Sequence, residues 1–221
     1  MEAKEMLKKV DHTKLQAHCT WEEIKVLCRE AIEFGTASVC IPPAYVERVY
    51  KTFGSAINIC TVIGFPLGYQ VCEAKVCEAK TAIAQGCNEI DMVINITDVK
   101  NGDFDKVETE IREIKKACGE HILKVIIETC YLTEEEKIRM CRVVTNAGAD
   151  YIKTSTGFGT GGATREDIKL FKEHIGEGVK MKAAGGVSTM EDLAAFIELG
   201  CDRIGTSRAI GLYKGQQTNG Y

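Results

Sequence analysis

The clearest signal of the fold lies in Asp150-Tyr-Ile-Lys-Thr-Ser-Thr-Gly157, where a short β-rich run ends just before a small-residue turn. The pattern recurs in Val179-Lys-Met-Lys-Ala-Ala-Gly-Gly186. Each run ends on a lysine, Lys153 in the first stretch and Lys182 in the second. A strand that ends on an inward lysine brings an ammonium group to the edge where strands meet their loops, which is where α/β enzymes gather their chemistry.

Working outward, short β-rich runs alternate with longer amphipathic stretches along all 221 residues. We predict eight strands, at residues 10–14, 36–41, 57–63, 89–94, 123–128, 151–154, 179–182 and 203–205. Eight alternations suit a closed (β/α)8 TIM barrel, whose usual size is about 250 residues. The prediction is one α/β domain over residues 1–221, with a short N-terminal helix and a flexible tail from about residue 214. A doubly wound open sheet is the competing fold, but no Gly-x-Gly-x-x-Gly follows the first strand.

Helix boundaries are marked by residue types that cap helix ends. Capping boxes are predicted at Thr20 with Glu23, Thr133 with Glu136 and Ser188 with Glu191, with a looser version at Thr164 and Asp167. Glycines follow the helical stretches, where a left-handed residue is favoured, at positions 35, 86, 119, 148, 176 and 200.

Composition excludes several classes of function. The formal charge of −4 gives no reason to expect nucleic acid or an anionic membrane as a partner. No segment approaches the ~18 consecutive apolar residues of a membrane span, and the charged N-terminus is too polar for a secretory segment. We therefore expect a cytoplasmic protein.

The eleven cysteines are odd in number and form no Cys-x-x-Cys motif. We interpret them as small buried side chains in a reducing compartment. The four histidines show no metal-ligand spacing with one another or with the cysteines, so no metal site is predicted.

Strand parity suggests an unusually charged interior. If Asp91 points inward, Glu89 does too, and Lys124, Lys153 and Lys182 are further inward candidates. Two neighbouring lysines would lower the pKa of one of them by like-charge repulsion, which makes a neutral amine available for Schiff-base chemistry. The alternative for an isolated lysine is a strand end that reaches solvent.

Glycine-rich turns follow the last three predicted strands. They run through residues 154–162, 184–186 and 205–207, and the first two precede predicted helix caps. Glycine allows backbone N–H groups to approach an anion closely, and a helix N-terminus adds a favourable dipole. Together the three turns predict a phosphorylated ligand, in the region where barrels often bind phosphate.

Motifs along the chain resemble the deoxyribose-phosphate aldolase family. The matching segments are Asp11-His-Thr-Lys-Leu15, Val39-Cys-Ile-Pro42, Val62-Ile-Gly-Phe-Pro-Leu-Gly68, Glu89-Ile-Asp-Met-Val-Ile-Asn95, Leu123-Lys-Val-Ile-Ile-Glu-Thr129, Tyr151-Ile-Lys-Thr-Ser-Thr-Gly157, Lys182-Ala-Ala-Gly-Gly-Val187 and Arg203-Ile-Gly-Thr-Ser207. The resemblance implies a class I aldolase on a TIM barrel. Such an enzyme reversibly splits 2-deoxyribose 5-phosphate into glyceraldehyde 3-phosphate and acetaldehyde, without metal or cofactor.

The resemblance also implies residue roles. Lys153 would form the Schiff base, Lys182 would be the neighbouring ammonium, and Asp91 would transfer protons. The implied phosphate and substrate positions are Thr156, Gly157, Gly185, Gly186, Gly205, Thr206 and Ser207. The implied pocket-lining positions are Asp11, Thr13, Cys40 and Lys124.

The chain departs from the family pattern in places. Pro42, Ala184 and Arg208 stand where the family often has Asn or Ser. Arg208 either reinforces phosphate binding or faces solvent. Some members use a C-terminal tyrosine as a mobile proton carrier, and Tyr221 stands at that end of this chain. A disordered terminus is the simpler expectation there.

Three alternatives stay open: another Schiff-base aldolase of the transaldolase or keto-acid type, a silent barrel that only binds phosphosugars, and a metal-dependent aldolase, which the histidines disfavour. The expected partners are a phosphosugar and aldehydes. The sequence leaves the oligomeric state open, with a homodimer among the options.

Overall fold

The computed structural model describes residues 2–216 as a closed barrel of eight parallel strands. Neighbours in sequence are neighbours in the barrel, and the last strand closes on the first through Asp11 and Gly205. The TIM-barrel prediction is therefore confirmed. The strands are β1 Val10–Thr13, β2 Ser38–Ile41, β3 Ile59–Ile63, β4 Glu89–Val93, β5 Ile122–Ile126, β6 Tyr151–Lys153, β7 Lys180–Ala184 and β8 Arg203–Thr206.

Helices surround the barrel and cover the outward faces of its strands. They are α1 Ala3–Leu7, α2 Trp21–Phe34, α3 Val46–Phe53, α4 Cys72–Ala84, α5 Ile96–Lys100, α6 Phe104–Cys118, α7 Glu134–Asn146, α8 Arg165–His174, α9 Met190–Glu198 and α10 Ala209–Tyr213. Short 3₁₀ turns lie at Pro43–Tyr45, Gly54–Ala56 and Thr129–Tyr131. Within residues 2–216, every helix is too short or too polar to cross a bilayer.

Helix starts follow the predicted capping residues with one exception. Thr20 and Thr133 form full capping boxes, and the Thr164 side chain accepts a hydrogen bond from Asp167 N. The prediction of Ser188 with Glu191 is wrong. The cap of α9 is Thr189, whose box partner is Asp192. Both pairs have the required three-residue spacing, so spacing alone could not separate them.

Five of the six glycines that were predicted to end helices have a positive φ, and Gly176 is the exception. Helix α8 ends at His174, and the capping residue Ile175 has an extended conformation. Gly176 is there for space, because a Cβ on it would lie 2.3 Å from Thr145 Cγ2. Its N–H donates to Thr145 Oγ1 at 3.0 Å.

The chain end is described as far as Gln216. Backbone hydrogen bonds of α10 continue through Lys214, Gly215 and Gln216. The rest of the predicted tail, with Tyr221, lies outside the described residues.

Most cysteines pack as buried apolar side chains, as predicted. Eight of the eleven are buried, and all eleven are free thiols. Burial raises the pKa of the Cys28, Cys87 and Cys141 thiols to about 12, which makes them poor nucleophiles.

Candidate active site

The charged interior is organised around Asp91 on β4. Its Oδ2 accepts hydrogen bonds from Lys153 Nζ and Lys182 Nζ, each at 2.7 Å. Its Oδ1 accepts from Lys124 Nζ at 2.9 Å and from Cys60 Sγ at 3.2 Å. Strand register explains the convergence, because Asp91 pairs with Lys124 on β5, and Lys153 on β6 pairs with Lys182 on β7. The two lysines that the sequence singled out thus share one carboxylate oxygen.

These contacts decide the charge state of Asp91. Burial alone would raise the pKa of the Asp91 carboxyl, but the neighbouring Lys124 and Lys182 ammonium groups and the hydrogen bond from Lys153 hold it well below its usual range. Asp91 is therefore a buried carboxylate whose oxygens are surrounded by donors.

Lys182 is held as a cation by two carboxylates. Besides Asp91, its Nζ forms an ion pair with Asp11 Oδ2 on β1 at 2.5 Å. Burial would lower the pKa of Lys182, but Asp11 and Asp91 raise it well above its ordinary value. Like-charge repulsion was predicted to lower the pKa of one of the two lysines, and Lys182 is not that lysine.

A second layer of charge lies below Asp91. Lys124 Nζ is 2.6 Å from Glu89 Oε2, and Arg203 donates to both oxygens of Glu89 at 3.0 Å. Arg203 also donates to Asp11 Oδ1 at 2.7 Å. Burial would lower the pKa of Lys124, but Asp11 and Asp91 raise it well above its usual value.

The interior cluster holds one more cationic side chain than carboxylates. Its acids are Asp11, Glu89 and Asp91, and its bases are Lys124, Lys153, Lys182 and Arg203. An uncompensated buried charge is costly. Charge balance within this cluster is reached when one lysine is neutral.

Lys153 is the lysine of this cluster that borders open space. It lines a small cleft of about 20 Å³ at the carboxyl ends of the strands, and 3% of its surface is exposed. Lys124 and Lys182 are fully buried. The other lining residues are Thr13, Leu15, Thr156, Ala184, Gly185, Gly205, Thr206 and Ser207. Lys153 is therefore the lysine through which this cluster reaches the cleft.

Not every predicted pocket residue lines this cleft. Asp11, Cys40 and Lys124 are fully buried beneath it, so they support Asp91 and Lys182 instead of forming the cleft wall. Cys40 packs in a small apolar cluster with Leu15, Cys60 and Val62. Gly157 and Gly186 flank the lining residues without belonging to them.

Unpartnered polar atoms lie near the cleft, in the turn after β8. Ser207 Oγ and Arg208 Nε are buried and have no hydrogen-bond partner among residues 2–216. Arg208 Nη1 donates to Ser188 Oγ at 2.8 Å, which fixes the guanidinium beside the turn at Gly186. A larger neighbouring cavity shares Thr13 and Ser207 with the cleft, and Arg208 lines that cavity but not the cleft. Buried donors without partners are rare, so an anion here would satisfy them.

Sequence reasoning missed Cys60, and it gave no role to Glu89, Arg203 or Glu128. Cys60 was hidden among eleven cysteines, and only its register with Glu89 places it at the Asp91 carboxylate. Glu89 was predicted to face inward, but its pairing with Arg203 joins residues 114 positions apart. No local pattern signals such a contact.

Thiol and carboxylate donors in this cluster are also close enough to hold a metal ion. The donor atoms of Cys40, Cys60 and Asp91 lie within 4.8 Å of one another, as do those of Asp11, Cys60 and Glu89. The carboxylates already bind lysine ammonium groups, so a metal ion would have to displace a buried lysine.

A model of the DeoC/LacD aldolase family matches residues 5–218. This chain belongs to the DeoC/LacD family of aldolases. A deoxyribose-phosphate aldolase of Clostridium botulinum (strain Alaska E43 / Type E3) is 67% identical over 217 residues, or 98% of each chain. A deoxyribose-phosphate aldolase of Clostridioides difficile (strain 630) is 59% identical over 218 residues, which are 99% of this chain and all of that one.

A solved structure that is similar to this chain supports the same assignment. The deoxyribose phosphate aldolase from Aeropyrum pernix, described as a unique tetramer, superposes with a TM-score of 0.88 at 27% identity. The match covers 97% of this chain and 92% of that chain. The resemblance drawn from the motifs is thereby confirmed at the level of the family.

Proposed function

We propose that this family member reversibly cleaves 2-deoxy-D-ribose 5-phosphate into D-glyceraldehyde 3-phosphate and acetaldehyde through an imine on Lys153. The observation that carries the proposal is the contrast between the two lysines on Asp91. Lys182 is fully buried and held as a cation, whereas Lys153 borders the cleft. The family and its deoxyribose-phosphate aldolases support the reaction class and the substrate.

The chemistry begins with the neutral amine of Lys153. The amine attacks C1 of the open-chain sugar and forms a carbinolamine, and loss of water leaves the protonated imine. This cation accepts the electron pair of the C2–C3 bond as the C3 hydroxyl loses its proton, and glyceraldehyde 3-phosphate departs. The enamine is then protonated at C2, and hydrolysis of the imine releases acetaldehyde and the free amine.

Asp91 and Lys182 handle protons around this nitrogen in our proposal. Asp91 Oδ2 is shared by both lysine nitrogens at 2.7 Å, so it lies at the point where a proton leaving Lys153 is received. When the nitrogen becomes an imine, it donates fewer hydrogen bonds to Asp91. Lys182 remains as the compensating cation, which keeps the carboxylate ionised for the next transfer.

The phosphate group of the substrate binds the turns after β7 and β8 in this proposal. The unpartnered Ser207 Oγ and Arg208 Nε are the side-chain donors for it, and the turn at Gly185 and Gly186 supplies space and backbone N–H groups. Binding energy from this remote group orients C1 toward Lys153.

A product assay tests the proposal. Purified protein is incubated with 2-deoxyribose 5-phosphate, and acetaldehyde and glyceraldehyde 3-phosphate are measured separately, with and without EDTA. We expect equimolar release of both aldehydes, unaffected by EDTA. Turnover only with a keto-acid or transaldolase substrate would overturn the proposal, as would thermal stabilisation by phosphosugars without any turnover.

One further property is a proposal of its own, and the assembly stays open. A cytoplasmic location is supported by eleven free thiols, which suit a reducing compartment. A homodimer stays one of the options for the assembly, and the Aeropyrum pernix relative is described as tetrameric. Light scattering coupled to size-exclusion chromatography decides between a monomer, a dimer and a tetramer.

A further inference from the structure

Glu128 adopts a backbone conformation that its side chain disfavours. Among residues 2–216 it is the one residue other than glycine with a positive φ, at φ 50° and ψ 66°. A left-handed conformation is unfavourable for an L-residue with a long side chain. Such a conformation persists where surrounding contacts demand it, and it often lies at functional sites.

The side chain of Glu128 is buried against the turn that follows Lys153. Its Oε1 and Oε2 accept hydrogen bonds from Thr156 N at 3.1 and 3.3 Å. The Thr156 hydroxyl donates to Oε2 as well, while its oxygen accepts from Phe158 N at 2.9 Å. One carboxylate thus fixes both the backbone and the hydroxyl of Thr156, a residue that lines the cleft.

Backbone hydrogen bonds on either side of Glu128 tie it to Lys153 itself. Ile127 N donates to Lys153 O at 3.0 Å, and Thr129 N donates to Thr154 O at 2.9 Å. Glu128 lies between these two bonds. Its left-handed conformation lets the backbone hold Lys153 while the side chain reaches the turn beyond it.

The turn also lies directly on Glu128. A Cβ added to Gly159 would be 3.1 Å from Glu128 Cδ and 2.9 Å from Cys130 Sγ. Only a residue without a side chain fits so close to the carboxylate. The glycines of this turn therefore serve a close approach to Glu128 as well as the binding of an anion.

We propose that Glu128 is a positioning residue for the aldol cleavage: its carboxylate holds Thr156 and the following turn, so that a bound phosphosugar presents C1 to Lys153. The inference rests on the proposed function and extends it to a residue that does not line the cleft. Glu128 orients the substrate and leaves the amine chemistry to Asp91, Lys153 and Lys182.

The Glu128→Gln variant separates an effect on substrate orientation from an effect on the amine chemistry of Lys153. We expect kcat/KM for 2-deoxyribose 5-phosphate to fall roughly tenfold to a hundredfold, because small displacements of a reacting group are costly. Borohydride trapping of acetaldehyde on Lys153 should change less than about threefold, because acetaldehyde has no phosphate to misplace. Glu135→Gln is the matched control, since Glu135 is exposed on α7. Equal losses in both assays would overturn the positioning role.

Two more variants keep the test decisive if Glu128→Gln folds poorly. Glu128→Gly removes the carboxylate and relieves the left-handed backbone, and wild-type kcat/KM in that variant would overturn the proposal. Thr156→Val removes the partner hydroxyl. If Glu128 acts through Thr156, the double variant Glu128→Gln with Thr156→Val is no slower than the slower single variant; additive losses would contradict this. A wild-type protein without turnover would sink the proposed function instead.

Discussion

At the scale of residues, the chemistry depends on two lysines with different surroundings. Lys182 has two carboxylates within 2.7 Å of its nitrogen and no exposed surface. Lys153 forms an ion pair with Asp91 alone among the described residues, and it borders the cleft. The two lysines thus differ in their surroundings, because the carboxylates are unequally divided between them.

Arg208 carries a prediction about phosphate recognition. Arg208→Ser removes a donor that is buried without a partner among residues 2–216. A hydrogen bond to a charged group contributes about 1.5–3 kcal/mol. We therefore expect the preference for 2-deoxyribose 5-phosphate over 2-deoxyribose, taken as a ratio of kcat/KM, to fall roughly tenfold to a hundredfold.

Arg29→Ser is the control for Arg208, because exposed Arg29 lines the same neighbouring cavity. It should leave the ratio unchanged, and Arg208→Lys should restore part of the preference by keeping the charge. If Arg208→Ser kept the wild-type ratio of kcat/KM values, the guanidinium would hydrogen-bond Ser188 without taking part in phosphate recognition.

The sequence allowed the prediction that Asp91, Lys153 and Lys182 face the barrel interior, because the two-residue period of strands can be read locally. Their catalytic roles stay a prediction. Glu128 could not be predicted as a positioning residue. Its role follows from a left-handed conformation and from contacts with a turn about thirty residues later, and neither leaves a mark in the local pattern.

At the scale of elements, two glycine-rich turns are built against each other. Ala163 N donates to Ala184 O and Gly185 O, each at 3.1 Å, which joins the turn after β6 to the turn after β7. A Cβ on Gly162 would lie 2.5 Å from Gly185 C and O. The turn after β7, which belongs to the proposed phosphate region, is therefore held in place by the turn after β6.

The Gly162→Ala variant tests the close contact between the Gly162 and Gly185 backbones. The added methyl group would force the two backbones apart, so we expect KM for 2-deoxyribose 5-phosphate to rise roughly tenfold or more. Gly161→Ala is the control, because its Cβ would meet only Cys130 Cβ at 3.2 Å. Steady-state kinetics of both variants measure the effect. Similar KM values in the two variants would contradict a role for the contact between the loops.

Element boundaries show where local signals stop being sufficient. Thr20 and Thr133 were predictable caps because each stands alone at the right spacing from a glutamate. Ser188 and Thr189 compete with equal spacing, and in the structure it is the Thr189 side chain that accepts the capping hydrogen bond from Asp192 N. Gly176 was misjudged because its requirement is space beside Thr145, which is a tertiary contact.

At the scale of the whole molecule, closure of the barrel creates the charge cluster. Asp11 on β1 reaches Lys182 on β7 and Arg203 on β8 only because β8 pairs with β1. The alternation of strands and helices predicted closure. It did not predict which charges would meet across the interior, since those contacts join residues up to 192 positions apart.

The cluster makes a prediction about stability in acid. The lysines depress the pKa of Asp91, so its stabilising effect is present above the unfolded-state value near 4 and is lost as pH falls through the folded-state pKa. Asp91→Asn should cost about 3–5 kcal/mol of unfolding free energy at pH 7, as loss of a buried partner does.

Urea denaturation of both proteins at several pH values measures this difference. The gap between wild type and Asp91→Asn should narrow below about pH 4, where the Asp91 carboxyl group of the unfolded chain takes up a proton that the folded state does not yet bind. Glu47→Gln is the control, since Glu47 pairs with Lys51 on the surface, where both side chains are exposed. A gap that stays constant down to pH 2 would contradict the assigned charge state.

The most direct measurement is the pH dependence of imine trapping. Wild type and Lys182→Met are treated with acetaldehyde and borohydride, and the modified lysine is located by peptide mass mapping. We predict an ethyl group on Lys153 in both proteins, with half-maximal labelling at a higher pH in Lys182→Met, because two carboxylates then lose their compensating cation. Labelling of another lysine, or the same midpoint in both proteins, would contradict the account.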